Sequence, residues 1–135
     1  MVNLALGAKA SASSVLVDGV HNLAPEMAID DRFDTRWNSA HGQTTDQWLE
    51  LDFGKEVSLN TVLIEQETTW TRFKGYRIQS WTDNAWRDVF AGAEMPDYAV
   101  CRFPLVTTRK LRLLMDATRT ATGLREVGVY RCGRQ

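Results

Sequence analysis

Alternation of apolar and polar residues is the dominant pattern along this 135-residue chain. In the segment Gln47–Phe53, Leu49, Leu51 and Phe53 fall on one face of an extended strand, and residues 48, 50 and 52 fall on the other. Helical periodicity is nearly absent. The same reasoning predicts strands over Gln47–Phe53, Thr61–Gln66, Gly75–Trp81, Ala85–Phe90, Tyr98–Phe103, Lys110–Asp116 and Arg125–Cys132.

Turn-forming residues separate most of these strands. The first forty residues are mostly irregular and polar, and no repeat or internal linker interrupts the rest. Many short strands divided by turns are typical of an antiparallel sandwich or barrel. We therefore predict one all-β domain over residues 1–135. Turns are predicted at Phe53-Gly54-Lys55, Thr82-Asp83-Asn84, Met95-Pro96-Asp97 and Thr107-Thr108-Arg109.

Composition excludes several classes of protein. A hydrophobic content of 44% excludes a disordered chain, and apolar runs of only a few residues exclude a membrane-spanning helix. A net charge of −1 argues against a nucleic acid or an anionic membrane held by bulk electrostatics. No G-x-S-x-G or Cys/His nucleophile pattern is present, which disfavours an enzyme. Because carboxylates are abundant, the sequence alone does not exclude a catalytic pair of carboxylates.

The two cysteines have no metal-like spacing. Cys101 lies on the expected apolar face of an alternating segment, so a buried free thiol is favoured over a disulfide with Cys132. The chain opens Met1-Val2-Asn3 with no signal-peptide pattern, as expected of a module cut from a longer protein.

The segment Met27–Trp37 is a tight acidic loop that ends on a large aromatic residue. Asp30, Asp31, Asp34 and Thr35 crowd side-chain oxygens into six positions. Hard oxygen ligands at this density suit Ca²⁺, although the spacing is not that of an EF-hand. A solvated turn with an Asp or Thr cap is the alternative, and the loop by itself does not decide between them.

Several segments of the chain match, in order, the motifs of one family of domains. Asn3–Ala10 followed by Ser11–Ser14 resembles the opening NLALGKPATASS of that family. Ala28-Ile29-Asp30 with Thr35-Arg36-Trp37 is similar to its A-I-D-G-x-x-x-T-R-W signature. The segment Gln47–Gly54 is similar to its QWIQIDLG strand. Similar matches to later family strands are Tyr76–Gln79 with Asn84–Trp86, Lys110–Leu113, and Leu124–Tyr130.

Together these segments resemble F5/8 type C (discoidin-like) domains. The resemblance covers almost the whole chain and implies an antiparallel β-sandwich of the discoidin-like jelly-roll type. Within the superfamily, the chain looks most like carbohydrate-binding modules of family 32. It is also similar to the β-sandwich domain that follows the catalytic barrel in bacterial α-L-fucosidases. Residues that carry the second similarity include Asn60–Glu65, Arg72, Tyr76 and Thr122-Gly123-Leu124.

The resemblance implies one structural Ca²⁺ between the acidic loop and the last strand. Its shell of about seven oxygens would be plausible for Ca²⁺. Asp31 stands where the family usually has Gly, and Asp tolerates a positive φ better than most residues. The implied ligands are the carbonyls of Met27, Arg32 and Arg125, the carboxylates of Asp30 and Glu126, and the hydroxyl and carbonyl of Thr35.

The resemblance also implies a sugar site on the loops at one end of the sandwich. Trp37, Trp48, Trp81 and Trp86 lie in or beside strands and are expected to pack in the core or on the sheets. Trp70 lies instead in a polar loop, where its ring is available to stack on a pyranose.

We predict that Trp70 stacks on the sugar while Glu65, Arg72, His41 and Asn38 supply hydrogen bonds. His41 as an exposed loop residue without a role, and Glu65 with Arg72 as a local ion pair, remain alternatives. Asn38 occupies the position of the His in the family's W-H-T-x-[WY] pattern, which weakens a galactose assignment. The loop Thr118–Gly123 is expected to form part of the same rim.

The leading hypothesis is a non-catalytic carbohydrate-binding module that targets a larger secreted glycoside-active protein to glycans. It would bind a terminal sugar of the galactose or fucose type weakly, next to a catalytic domain in the same chain. We expect an extracellular or cell-surface monomer. The alternatives are a discoidin-type adhesion domain that binds protein or phospholipid, and a fucosidase accessory domain with no ligand.

Overall fold

The structure is a computed structural model that describes residues 1–67, 73–117 and 123–133. Nearly all regular structure in these ranges is strand, apart from one 3-10 turn at Pro25–Ala28. Every strand pairing is antiparallel, which confirms the predicted fold class. The strands are β1 Lys9–Ala12, β2 Trp37–Asn38, β3 Gln47–Gln66, β4 Phe73–Thr82, β5 Ala85–Gly92, β6 Tyr98–Ala117 and β7 Gly123–Tyr130.

Hydrogen bonds join the strands in the order β2-β7-β3-β6-β4-β5, with β1 beside β3. The first half of β3 pairs with β1 and with the second half of β6. The second half of β3 pairs with β7 and with the first half of β6. The two 20-residue strands therefore run through both layers of the sandwich, and the sheet folds over on itself.

The predicted turns at Phe53-Gly54-Lys55 and Thr107-Thr108-Arg109 are wrong as strand ends. β3 and β6 continue through both positions, with a register shift between Asp52 and Val57. Gly54 has a φ of 79°, which glycine adopts without steric cost, so the strand changes direction there without ending. The turn residues do mark places where the strands change direction. Pairing between β3 and β6 continues past these places, so neither strand ends there.

The hydrophobic core lies between the layers and takes side chains from both halves of the long strands. Leu49 and Ile64, from opposite halves of β3, are both fully buried in the same cluster. Burying a side chain of this size stabilises the fold by roughly 1.5–3 kcal/mol. Cys101 is fully buried and is a free thiol, as predicted, and Cys132 is also free.

The tryptophans divide between the core and an outer face. Trp37 is fully buried in the core. On the outer face of the layer that contains the first half of β3, the Arg112 guanidinium carbon lies 4.8 Å from the Trp48 ring centroid and 4.3 Å from that of Trp86. Trp81 meets Trp86 edge to face, with ring centroids 5.1 Å apart. The expectation that these rings pack in the core or on the sheets is confirmed.

β1 and β2 are short strands within the first forty residues, where the sequence predicted mostly irregular chain. Each pairs with a strand distant in sequence, β1 with β3 and β2 with β7. Two to four residues carry too little periodicity to be recognised, so only tertiary pairing defines them. Within the described ranges, no helix has the length and apolar character needed to cross a membrane.

Candidate functional site

The Thr35 hydroxyl is the centre of the acidic loop. Its Oγ1 donates to Asp30 Oδ2 at 2.6 Å, and the carbonyl oxygens of Met27 and Arg32 lie 3.3 and 3.4 Å away. The 3-10 turn at Pro25–Ala28 brings Met27 back towards Thr35. Oxygen atoms of four predicted metal ligands therefore lie close together around the Thr35 hydroxyl.

Asp31 joins this loop to the last strand. Its backbone has a φ of 60°, the left-handed conformation that was anticipated for the position of the family glycine. The Asp31 N–H donates to Glu126 Oε2 at 3.1 Å. Glu126, which lies in β7, is thereby fixed beside the acidic loop.

The second carboxylate oxygen of Glu126 is buried and has no hydrogen-bond partner among the described residues. The pKa of Glu126 is raised from 4.5 to about 7, mainly by burial; the nearby charges of Asp30 and Asp31 contribute to the rise, and backbone hydrogen bonds from residues 31 and 32 oppose it. An unpaired, buried carboxylate oxygen costs free energy unless a cation or a proton neutralises it. This oxygen is the observation that makes the residues fit a metal ion.

The chemistry of the donor set favours a hard cation. Over residues 1–67, 73–117 and 123–133, no group of three or more His, Cys, Asp or Glu is arranged to hold a metal. Any shell here must therefore depend on carbonyl and hydroxyl oxygens together with Asp30 and Glu126. Such a set suits Ca²⁺ better than Zn²⁺, which prefers nitrogen and sulfur. The Arg125 carbonyl remains a predicted ligand.

Asp34 points away from this group. Its carboxylate accepts two hydrogen bonds from the Arg32 side chain, at 3.0 and 2.8 Å. Both side chains are more than half exposed, so this pair adds little stability. The sequence grouped Asp34 with the other loop carboxylates, whereas the structure separates it.

A buried ionic cluster lies between the acidic loop and one end of the sandwich. The Glu67 carboxylate accepts from Arg125 Nη2 at 3.2 Å and lies 3.7 Å from Arg36 Nη1. Arg125 Nη1 donates to the Phe33 carbonyl at 3.1 Å. Sequence reasoning missed this cluster: Arg36 lies in the T-R-W motif, but nothing in the pattern pairs it with Glu67.

Asn38 is buried beside this cluster. Its Nδ2 donates to the Ser39 carbonyl at 3.0 Å, and its Oδ1 accepts from Arg36 Nε at 3.3 Å. A Cβ added at Gly123 would lie 2.8 Å from the same Oδ1, so glycine leaves room for the amide. Contact between Asn38 and a sugar stays a prediction, and it would require the amide to exchange these partners. His41 is exposed on the loop that follows β2.

The other predicted ligand contacts are placed differently. Glu65 lies on the outer face of β3, opposite Glu126 on one side and Tyr98 on the other. It lines a shallow cleft with Asp31, Glu126, Tyr98 and Tyr130, and neither Asn38 nor His41 lines that cleft. Trp70 and Arg72 lie outside the described residues, as does most of the predicted rim loop, residues 118–122.

Comparison with known sequences gives one family match. The F5/8 type C profile described as "NedA-like, galactose-binding domain" matches residues 16–113. A search of curated proteins gives no match.

Solved structures with the same fold include both isolated modules and parts of enzymes. Chitosan-binding module 1, derived from a chitosanase/glucanase of Paenibacillus sp. IK-5, is 28% identical with a TM-score of 0.84, over 96% of this chain and 99% of that one. CpGH89CBM32-5 from Clostridium perfringens, solved with GalNAc-β-1,3-galactose, is 19% identical with a TM-score of 0.85, over 96% and 99%.

A Ruminococcus gnavus GH29 fucosidase, solved with fucose, is 24% identical with a TM-score of 0.84. The match covers 98% of this chain but only 27% of the fucosidase, so the chain spans about a quarter of that enzyme. The matches below 25% identity establish the fold alone.

Proposed function

Since the chain belongs to the F5/8 type C family, we propose that it is a non-catalytic carbohydrate-binding module that targets a larger glycoside-active protein to glycans. The observation that carries this proposal is its end-to-end match, at 28% identity, to a whole chitosan-binding module. We propose an extracellular or cell-surface location because this relative is a module of a chitosanase/glucanase and is named for binding a polysaccharide.

The proposed sugar site lies at the end of the sandwich where Glu67 meets Gly123. The Glu67 N–H donates to the Gly123 carbonyl at 2.9 Å, so the residue before the segment 68–72 lies beside the residue after the segment 118–122. Asn38 contacts the same glycine, which brings the loop of His41 to this end as well. Asn38 and Glu67 thus both lie beside Gly123, which supports proposing the ligand site at this end.

At this end we propose that Trp70 stacks on a terminal sugar of the galactose or fucose type. Arg72, His41, Glu65 and Asn38 would supply hydrogen bonds, Glu65 from the rim of its neighbouring cleft. A shallow site of this kind offers few contacts, so we expect a Kd on the order of 0.1–1 mM.

We also propose that the acidic loop holds one structural Ca²⁺. Its ligands would be oxygens of Met27, Asp30, Arg32, Thr35, Arg125 and Glu126. The buried, unpaired oxygen of Glu126 supports this assignment. The ion would neutralise the loop carboxylates and tie the loop to β7; binding only the folded form, it would stabilise the domain.

A glycan array run in calcium tests the main proposal. The array should include terminal galactosides, fucosides and chitosan oligosaccharides, and calorimetry on the best hit should give the affinity. Binding that disappears in Trp70→Ala, while circular dichroism shows an intact fold, would support the stacking site. A blank array at high protein concentration would overturn the proposal and favour an accessory domain with no ligand.

Lipid adhesion is a second candidate because the structure exposes apolar side chains on two loops. Val17 and Val20 are 86% and 81% exposed, and Phe33 is 79% exposed. Pelleting with phosphatidylserine vesicles tests this candidate. Sedimentation that is lost in Val17→Ser would favour lipid binding, and a supernatant containing all the protein would exclude it.

A further inference from the structure

Glu67 is a nearly buried carboxylate that contacts Arg36 and Arg125 within the described part of the chain. Its side chain is 7% exposed, whereas those of Arg36 and Arg125 are 32% and 35% exposed. A buried ionic cluster is a weak source of net stability because desolvation offsets much of the Coulomb attraction. The cluster is therefore expected mainly to fix the relative positions of the segments that carry Arg36, Glu67 and Arg125.

Those segments meet at the proposed sugar site. Glu67 is the residue immediately before the segment 68–72, and its N–H donates to the Gly123 carbonyl at 2.9 Å. On the other side, Arg36 Nε donates to the Asn38 amide oxygen at 3.3 Å. The Glu67 carboxylate and backbone together thus link Arg36, Arg125 and Gly123.

Arg125 connects these residues to the acidic loop. One nitrogen of its guanidinium donates to the Phe33 carbonyl and the other donates to Glu67, at 3.1 and 3.2 Å. Phe33 lies between Arg32 and Thr35, both predicted calcium ligands, and Arg125 itself precedes Glu126. A guanidinium is a rigid planar fork, so fixing one of its partners also fixes the direction of the other.

We propose that Glu67 is a positioning residue that, through Arg125, transmits the order of the acidic loop to Asn38 and Gly123, at the end of the sandwich where the sugar site is proposed. This inference rests on the proposed function. It implies that calcium raises glycan affinity although the ion does not touch the sugar. By linkage, the glycan must raise calcium affinity by the same factor.

The binding experiment measures glycan affinity by calorimetry with and without calcium. For the wild type we expect calcium to raise the affinity about tenfold, a typical coupling between two sites. In Glu67→Gln the gain should fall below about twofold, while calcium still binds. In Arg125→Lys, which keeps the positive charge but lacks the fork, the gain should also be lost. Glu50→Gln removes a partly buried ion pair with Arg112 on the other layer, and the full gain should remain.

A second measurement needs no sugar. Amide hydrogen exchange of residues 38 and 67, followed by NMR, should slow on calcium addition in the wild type and in Glu50→Gln. It should not slow in Glu67→Gln or Arg125→Lys, even though the amide of Asp31 still does.

The outcomes separate the two proposals. A wild type that binds no glycan but shows the expected exchange pattern would overturn the proposed function and leave the link to Glu67 standing. Glycan binding that keeps its calcium dependence in Glu67→Gln and Arg125→Lys would overturn the positioning role. Equal exchange at residue 67 with and without calcium in the wild type would overturn it as well.

Discussion

The proposed calcium site predicts that replacing Glu126 by Gln removes the stabilisation by the ion. The carboxylate has one oxygen bonded to the Asp31 N–H and one buried oxygen without a hydrogen bond. An amide has nearly the same shape but no charge for the ion. In the wild type, calcium at about a hundredfold excess over its Kd adds about 2.7 kcal/mol, which corresponds to a rise in Tm of about 10 °C.

In the metal-free protein, a charged Glu126 should lower the stability of the fold. The folded pKa of Glu126, about 7, is higher than its ordinary value of 4.5. Its stabilising contribution is therefore fully present below about pH 4.5 and is lost as the pH rises through about 7. At about 1.4 kcal/mol per tenfold change in proton affinity the upper limit is about 3 kcal/mol, and solvent screening reduces this to about 1–2 kcal/mol.

Thermal unfolding in EDTA and in calcium, at about pH 5 and about pH 8, measures both effects. In EDTA at the higher pH, Glu126→Gln should be at least as stable as the wild type, because no buried charge remains. Glu50→Gln is the matched control and should keep the full calcium shift. An identical wild-type Tm in EDTA and in calcium would refute the metal site, and a full shift in Glu126→Gln would refute the role of this carboxylate.

Three further predictions concern the proposed stacking residue, a glycine beside Tyr76 and the two cysteines. Trp70→Ala should abolish glycan binding in calorimetry while leaving the circular dichroism spectrum unchanged; retained binding would refute the stacking role. Gly92→Ala should lower the free energy of unfolding in urea by about 1–3 kcal/mol, because the added Cβ would lie 2.5 Å from the Tyr76 ring. Gly75→Ala is the control: its Cβ would meet nothing closer than 3.9 Å, so the substitution should be nearly neutral. Burial raises the pKa of Cys101 to about 11, so this thiol should react with a thiol reagent only after unfolding. Cys132 should react in the native protein, and two thiols that react fast in the native protein would contradict the prediction.

Local pattern was sufficient for most of the strands. The predicted strands Gly75–Trp81 and Ala85–Phe90 lie inside β4 and β5, because side chains on a half-buried strand alternate between core and solvent. The acidic loop was also recognisable locally, since Asp30 and Thr35 are close in sequence and their contact at 2.6 Å needs no distant partner.

The continuity of β3 and β6 could not be read in this way. Turn residues near Gly54 and Thr108 indicate a change of direction, but whether a strand ends there depends on its pairing partner. Val57 pairs with Thr108, so the ladder continues through the corner. Only the paired structure distinguishes a corner from a turn.

By itself the sequence determined the fold class, the acidic loop and, through its resemblance, the strand that faces that loop. The tertiary structure decided which charges share a site. It buried one oxygen of Glu126 without a hydrogen-bond partner and placed Glu67 between Arg36 and Arg125. Periodicity reports which side chains face the core, whereas the pairing of charges depends on which distant strands become neighbours, and that is settled only when the chain folds.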